Sequence, residues 1–123
     1  YRISKGSKEK LSLGNLSIKR DWGWAPEYVN AMWKILQHKK PDNFIIATGK
    51  TYSLLNFLEY VFEKLNLTWE DHVTLSKNLL RPSELKVSCA DPSKASKELN
   101  WKAKYEMKNV VEMMLKEEEN KQS

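Results

Sequence analysis

Two arginines carry the clearest chemical signal in this sequence. Arg20 opens Arg20-Asp21-Trp22-Gly23, and Arg81 opens Arg81-Pro82-Ser83-Glu84. The chain holds only three arginines against eighteen lysines, so arginine is used sparingly. Both segments are irregular and marked by aromatics or proline, the kind of place where binding residues are often held. A guanidinium donates two parallel hydrogen bonds from a planar fork, which suits a diphosphate. A structural ion pair, Arg20 with Asp21 or Glu84, is the competing reading. Leu13-Gly14-Asn15 poses a similar choice. Its glycine allows close approach of backbone to a ligand, so that exposed N–H and C=O groups could read a base edge. A simple turn explains the same residues.

Other chemistry is sparse. Tyr1 with Lys5 and Tyr60 with Lys64 match Tyr-x-x-x-Lys. One helical turn would place the lysine beside the tyrosine and lower its pKa for proton transfer. Neither pair follows a cofactor-binding unit, and both read as coincidence. The four glycines, Gly6, Gly14, Gly23 and Gly49, lie too far apart for a phosphate-cradling loop. No H-E-x-x-H or Cys/His cluster suggests a metal. His38 and His72 read as surface or capping residues. The single cysteine, Cys89, cannot form an internal disulfide. Beside Val87 and Ser88 it reads as a buried structural thiol, and a reducing, cytoplasmic setting is expected.

These residues need elements to hold them. Tyr1–Lys5 reads as a helix end stopped at Gly6. Leu11–Leu13 reads as a short strand running into a turn. Pro26 suits the first turn of a helix, and Tyr28, Val29, Met32, Trp33, Ile35 and Leu36 recur at helical spacing to about His38. Phe44–Thr48 reads as a buried strand closed by Gly49. Ser53 is a good N-cap for the clearest helix, whose apolar face is Leu54, Phe57, Leu58, Val61, Phe62 and Leu65. His72–Leu75 and Leu85–Cys89 read as further strands. Asp91-Pro92 opens a helix to Leu99, and a last helix runs from about Met107 to Glu117. The class is α+β, without a strict βαβ rhythm. Residues 1–116 read as one domain and 117–123 as a polar tail expected to fray.

The bulk properties agree. At 123 residues and 41% hydrophobic, the chain fits one small domain with a modest core. No apolar run is long enough for a transmembrane helix. The opening Tyr1-Arg2-Ile3-Ser4-Lys5 has neither an initiator Met nor a signal-peptide core, so a piece of a longer protein is expected. The net charge of +5 favours anionic ligands. The lysines are scattered without interleaved aromatics, which argues against nucleic acid.

In order, Leu13-Gly14-Asn15, Arg20-Asp21-Trp22-Gly23, Ala25-Pro26-Glu27-Tyr28-Val29, Ile46-Ala47-Thr48-Gly49, Arg81-Pro82-Ser83-Glu84, Asp91-Pro92-Ser93-Lys94-Ala95 and Leu99-Asn100-Trp101-Lys102 form a series. It resembles the C-terminal, substrate-binding region of the GDP-mannose 4,6-dehydratases, a family of extended short-chain dehydrogenase/reductases. The resemblance implies a small mixed α/β substrate-binding domain without its Rossmann domain. It implies a lyase that converts GDP-mannose to GDP-4-keto-6-deoxymannose and water, in the route to GDP-fucose. NADP would take a hydride from the sugar and return it. The cofactor site and the catalytic residues would lie upstream, leaving no catalytic residue and no cofactor in this chain, which alone should be inactive.

The resemblance further implies that Arg20 and Arg81 hold the diphosphate or ribose. Glu84 would bind ribose hydroxyls or orient an arginine, and Leu13, Gly14 and Asn15 would line the guanine pocket. The intact enzyme would be a homodimer or homotetramer. The sequence departs from the family pattern at Asn100 (usually glycine), Ala103 (often proline) and Ser76 (commonly aspartate), and Lys77 partly keeps the positive character of that turn. The alternatives are a sibling nucleotide-sugar epimerase or dehydratase, or a small basic module binding nucleic acid or protein.

Overall fold

The computed structural model describes residues 1–121. A 3-10 turn at Ile3–Lys5 ends on Gly6, which takes up a left-handed φ of 95°. Four short strands follow in the order β1 (Leu11–Leu13), β2 (Lys19–Asp21), β3 (Thr51–Ser53) and β4 (Val73–Leu75). Five helices are set among and after them: α1 (Ala25–Leu36), α2 (Leu54–Lys64), α3 (Trp69–His72), α4 (Ser93–Glu98) and α5 (Met107–Lys121). The strands form two separate pairs. Strands β1 and β4 run parallel, Leu13 opposite Leu75, and β2 and β3 run antiparallel, Arg20 opposite Tyr52.

The best-defined helix is α2, and its ends show why. Ser53 Oγ accepts from the Asn56 N–H at 3.0 Å, while Asn56 Oδ1 accepts from the Ser53 N–H at 3.2 Å. This reciprocal cap satisfies donors that the first turn would leave bare. At the other end Asn66 is left-handed, with φ 54°. The Leu67 and Asn66 amides then donate back to the carbonyls of Phe62 and Glu63. Between the caps, Leu58 and Phe62 point inward against Val73, with Ile3, Leu13, Leu16, Leu67 and Trp69 around them.

A second cluster joins α1 to α4. Ala31, Ala95, Leu99 and Trp101 are buried, and Tyr28, Ile35, Phe44, Ile46 and Ala103 pack on them. The Trp101 indole N–H donates to the Glu27 carbonyl at 3.1 Å, and the Glu27 carboxylate accepts the amides of Lys104 and Tyr105. Lys34 Nζ closes the end of α4 on the carbonyls of Leu99 and Asn100.

Several expectations need correction. Phe44–Thr48 has no ladder partner among the described residues; its last amide, Thr48, is taken by the Asp21 side chain rather than by a neighbouring backbone. Leu85–Cys89 makes a single parallel bridge, Lys19 to Val87, rather than a strand. Cys89 is exposed, not buried: the segment is attached to β2 by that one bridge, and the side chain at 89 faces outward. The last helix continues to Lys121, through most of the expected tail. Lys121 pairs there with Glu117 and Glu118 one turn back, at 3.2 and 3.1 Å. Gln122 and Ser123 lie outside the described residues.

Asn100 explains one departure noted in the sequence. It follows α4 with φ 47°, a left-handed conformation that favours glycine and tolerates asparagine. Asn100→Val should therefore lower stability by roughly 1–2 kcal/mol in denaturant unfolding, while Asn100→Gly should not. Equal stability of the two variants would remove this backbone requirement.

Candidate functional site

The six candidate residues come from three segments, and contacts to the 79–88 segment join them. At the end of β1, Leu13 turns into the cluster around Leu58 and Phe62, and its backbone carbonyl accepts the Ser76 amide at 2.8 Å. Gly14 lies flat against the next turn: a Cβ there would stand 2.7 Å from the Leu79 carbonyl oxygen. Glycine is required at this position by close approach of two backbones. Asn15 spends its side chain locally, Oδ1 accepting from the Ser17 amide at 2.9 Å and the Ser17 hydroxyl at 2.7 Å.

Arg20 lies on β2, and Nη1 donates to the carbonyls of Lys19 and Leu85, each at 2.8 Å. Backbone bonds extend the same attachment: the Lys19 amide donates to Lys86 at 2.8 Å and the Ser88 amide to Lys19 at 3.0 Å. Arg81 is exposed and Glu84 half-buried. Among the described residues no hydrogen bond or ion pair engages either side chain, and Arg20 pairs with neither Asp21 nor Glu84. The Arg81–Glu84 turn is thus held at one end by Gly14 against Leu79 and at the other by Arg20 on Leu85. Its two charged side chains remain uncommitted. Leu79, Leu80, Leu85 and Val87 are exposed around it.

Sequence reasoning gave Asp21 no role beyond a partner for arginine. Its carboxylate accepts from the Thr48 amide at 3.1 Å and the Gly49 amide at 2.9 Å. The Tyr28 hydroxyl also donates to it; burial, then the nearby Asp21 charge and this hydrogen bond, push the Tyr28 pKa up. Gly23 makes room for that hydroxyl, which a Cβ would overlap. The spacing of Asp21 and Gly23 was the available signal, but its meaning depends on where Tyr28 falls. Trp22 between them stacks on Phe57, centroids 4.5 Å apart.

The remaining candidates behave structurally. Tyr60 donates to Glu112 at 2.6 Å and Lys64 bonds the same carboxylate at 2.8 Å, which ties α2 to α5. The bond to Glu112 raises the Tyr60 pKa, opposite to what a proton-transfer tyrosine needs. His38 Nδ1 lies 2.8 Å from the Lys40 carbonyl, and His72 stacks on Phe62. Among the described residues no group of three potential metal ligands gathers, and no helix is long and apolar enough to cross a membrane. Two of the glycines are closed to a phosphate: Gly14 is backed by the Leu79 carbonyl, and Gly23, just before α1, is covered by the Tyr28 hydroxyl. Two sizeable clefts, about 310 Å³ beside Ile3, Leu11, Phe57 and Val61 and about 510 Å³ beside Trp24, Asn30, Trp101 and Tyr105, include none of the six candidates.

Gly14→Ala tests the close approach. The added methyl must displace the Leu79 carbonyl, so we expect a loss of roughly 1–3 kcal/mol and amide shifts confined to the Ser76–Arg81 turn. Wild-type stability with an unmoved turn would sink this account.

Comparison with known proteins agrees with the residue series. A GDP-mannose 4,6-dehydratase from Arabidopsis thaliana is 42% identical over 117 residues, covering 95% of this chain and 32% of its own length. The human GDP-mannose 4,6-dehydratase is 37% identical over 131 residues, covering 93% and 35%. The chain therefore spans about a third of the length of these relatives. In three dimensions it resembles RMD from Pseudomonas aeruginosa, solved in complex with NADPH, with a TM-score of 0.77 at 14% identity over 89% of this chain and 36% of that one. That likeness shows the fold. The family model described as GDP-mannose 4,6 dehydratase matches residues 1–114, and the chain belongs to this family.

Proposed function

We propose that this chain is the substrate-binding portion of a GDP-mannose 4,6-dehydratase, a lyase forming GDP-4-keto-6-deoxymannose and water. Its part is to grip the nucleotide. The observation that carries this reading is the turn at Arg81–Glu84: anchored at both ends, it presents an arginine and a carboxylate with no protein partner among the described residues. Ordered loops that keep such groups unpaired suit a ligand. Arg81 supplies charge-assisted hydrogen bonds to the diphosphate, each worth about 1.5–3 kcal/mol. Arg20, with Nη1 committed to carbonyls, keeps its other nitrogens for the same group. Glu84 accepts ribose hydroxyls. The backbone at Leu13, Gly14 and Asn15, beside exposed Leu79 and Leu80, faces the base. Holding the nucleotide positions the sugar for chemistry performed elsewhere.

NADP and the catalytic groups belong, on this reading, to the Rossmann domain, within the two-thirds of the relatives that this chain does not span. A face for that domain is available. On α1, Val29, Met32, Trp33 and Leu36 are 59–80% exposed at helical spacing, and Ile45 in the Phe44–Thr48 segment is also exposed. An apolar stripe and a segment without a strand ladder suit a packed sheet and helix layer. The reading further places the intact enzyme in the cytoplasm as a homodimer or homotetramer.

Calorimetry with the 123-residue chain tests the grip. GDP should bind more tightly than UDP or dTDP, and Arg81→Ala should weaken GDP about ten-fold or more, a change of ~1.4 kcal/mol. Preference for UDP would favour a sibling enzyme, and an unchanged affinity would take Arg81 out of the site.

Activity tests the division of labour. The chain with NADP and GDP-mannose should yield no 4-keto product by chromatography. Joined to the remaining two-thirds of the Arabidopsis relative it should turn over, and Trp33→Glu with Leu36→Glu should abolish that turnover. Product from the chain alone would overturn the assignment of catalysis elsewhere.

A further inference from the structure

We propose that Asp21 is a positioning residue for the nucleotide grip, acting through Arg20, with Tyr28 as the group that holds it in place. The inference rests on the reading of Arg20, Arg81 and Glu84 given above. Successive side chains of a strand point to opposite faces. On β2 this sends Arg20 toward the Leu85 carbonyl and Asp21 toward the turn at Thr48–Gly49. The aspartate is then fixed from behind by the Thr48 and Gly49 amides and by the Tyr28 hydroxyl. These donors come from separate parts of the chain, so the carboxylate binds the end of β2 to α1 and to the segment leading into β3. Gly49 reaches it in a left-handed conformation, φ 79°, and Gly23 leaves the gap that the hydroxyl fills.

Two consequences bear on the site. The first is geometric. β2 carries the Arg20 fork and, through Lys19, the backbone bonds to Lys86 and Ser88. Fixing β2 therefore sets the height of the segment that presents Arg81 and Glu84. The second is electrostatic. Asp21 spends its oxygens on donors away from Arg20, and the two form no ion pair among the described residues. The arginine keeps its charge for an anion. A carboxylate adjacent in sequence could have neutralised it, and the strand's alternation prevents that.

The test uses the 123-residue chain and GDP as the probe. Asp21→Asn and Tyr28→Phe should each weaken GDP binding about three- to ten-fold. Tyr28→Phe keeps the ring against Trp101, so it remains informative if Asp21→Asn folds poorly. In an Arg20→Ala background either change should cost little more, because residues acting through one another are not additive. Full additivity would overturn the proposal and leave Asp21 a residue of general stability. Hydrogen exchange gives an arm independent of the ligand: the Lys19 and Ser88 amides should exchange faster in both variants, and unchanged protection there would also overturn it. Failure of the wild-type chain to bind GDP, with exchange altered as expected, would instead refute the nucleotide reading and keep the positioning of the segment by Asp21.

Discussion

The carboxylate of Asp21 extends the short β2–β3 pairing, holding the Thr48–Gly49 turn that leads into β3 beyond the reach of the ladder. The two strand pairs are three residues long each, too short to hold a site by ladder bonds alone. Order near the arginines comes also from isolated backbone bonds, Lys19 with Lys86 and Ser88, and from side chains that satisfy backbone groups, Asp21 on Thr48 and Gly49 and Arg20 on Leu85. Charged groups make such bonds stronger than neutral ones. With β2 fixed at both faces, the 79–88 segment has a definite place although it contains little regular structure.

This arrangement has a chemical cost at the arginine that is closest to the frame. Arg20 gives one nitrogen to the protein, whereas Arg81 gives none. The two are therefore unequal, Arg20 being partly committed to the protein and Arg81 uncommitted among the described residues. Asn15 and Leu13 are more committed still, one to a local turn and one to the core.

The hydrophobic architecture tells a parallel story. Inside, Ala31 of α1 and Ala95 of α4 are buried with Trp101, and α2 closes the other cluster with Leu58 and Phe62. Outside, α1 turns Met32, Trp33 and Leu36 to solvent, and the Phe44–Thr48 segment forms no strand ladder among the described residues. An amphipathic helix normally exposes its polar face. Apolar residues on both faces are what a helix between two layers requires.

Local signals in the sequence were sufficient for the longer helices, though not for the single turn of α3 or for the last turn of α5. Ser53 with the period of Leu54–Leu65 fixed α2, Pro26 fixed the start of α1, and the ordered motifs from Leu13-Gly14-Asn15 to Leu99-Asn100-Trp101-Lys102 fixed the family. Those features depend on residues within a few turns of one another, or on identity alone. Strands were less legible, because a strand exists only if a partner lies beside it: Val73–Leu75 has one in β1, and Phe44–Thr48 has none here. The roles of Asp21 and Gly23 were decided only in three dimensions. They depend on where Tyr28 and the Thr48–Gly49 amides arrive, and no spacing along the chain encodes that meeting. Likewise the sequence supplied two arginines, but only tertiary structure decided which would hold a carbonyl and which would stay free, since the Leu85 oxygen that distinguishes them lies 65 residues from Arg20.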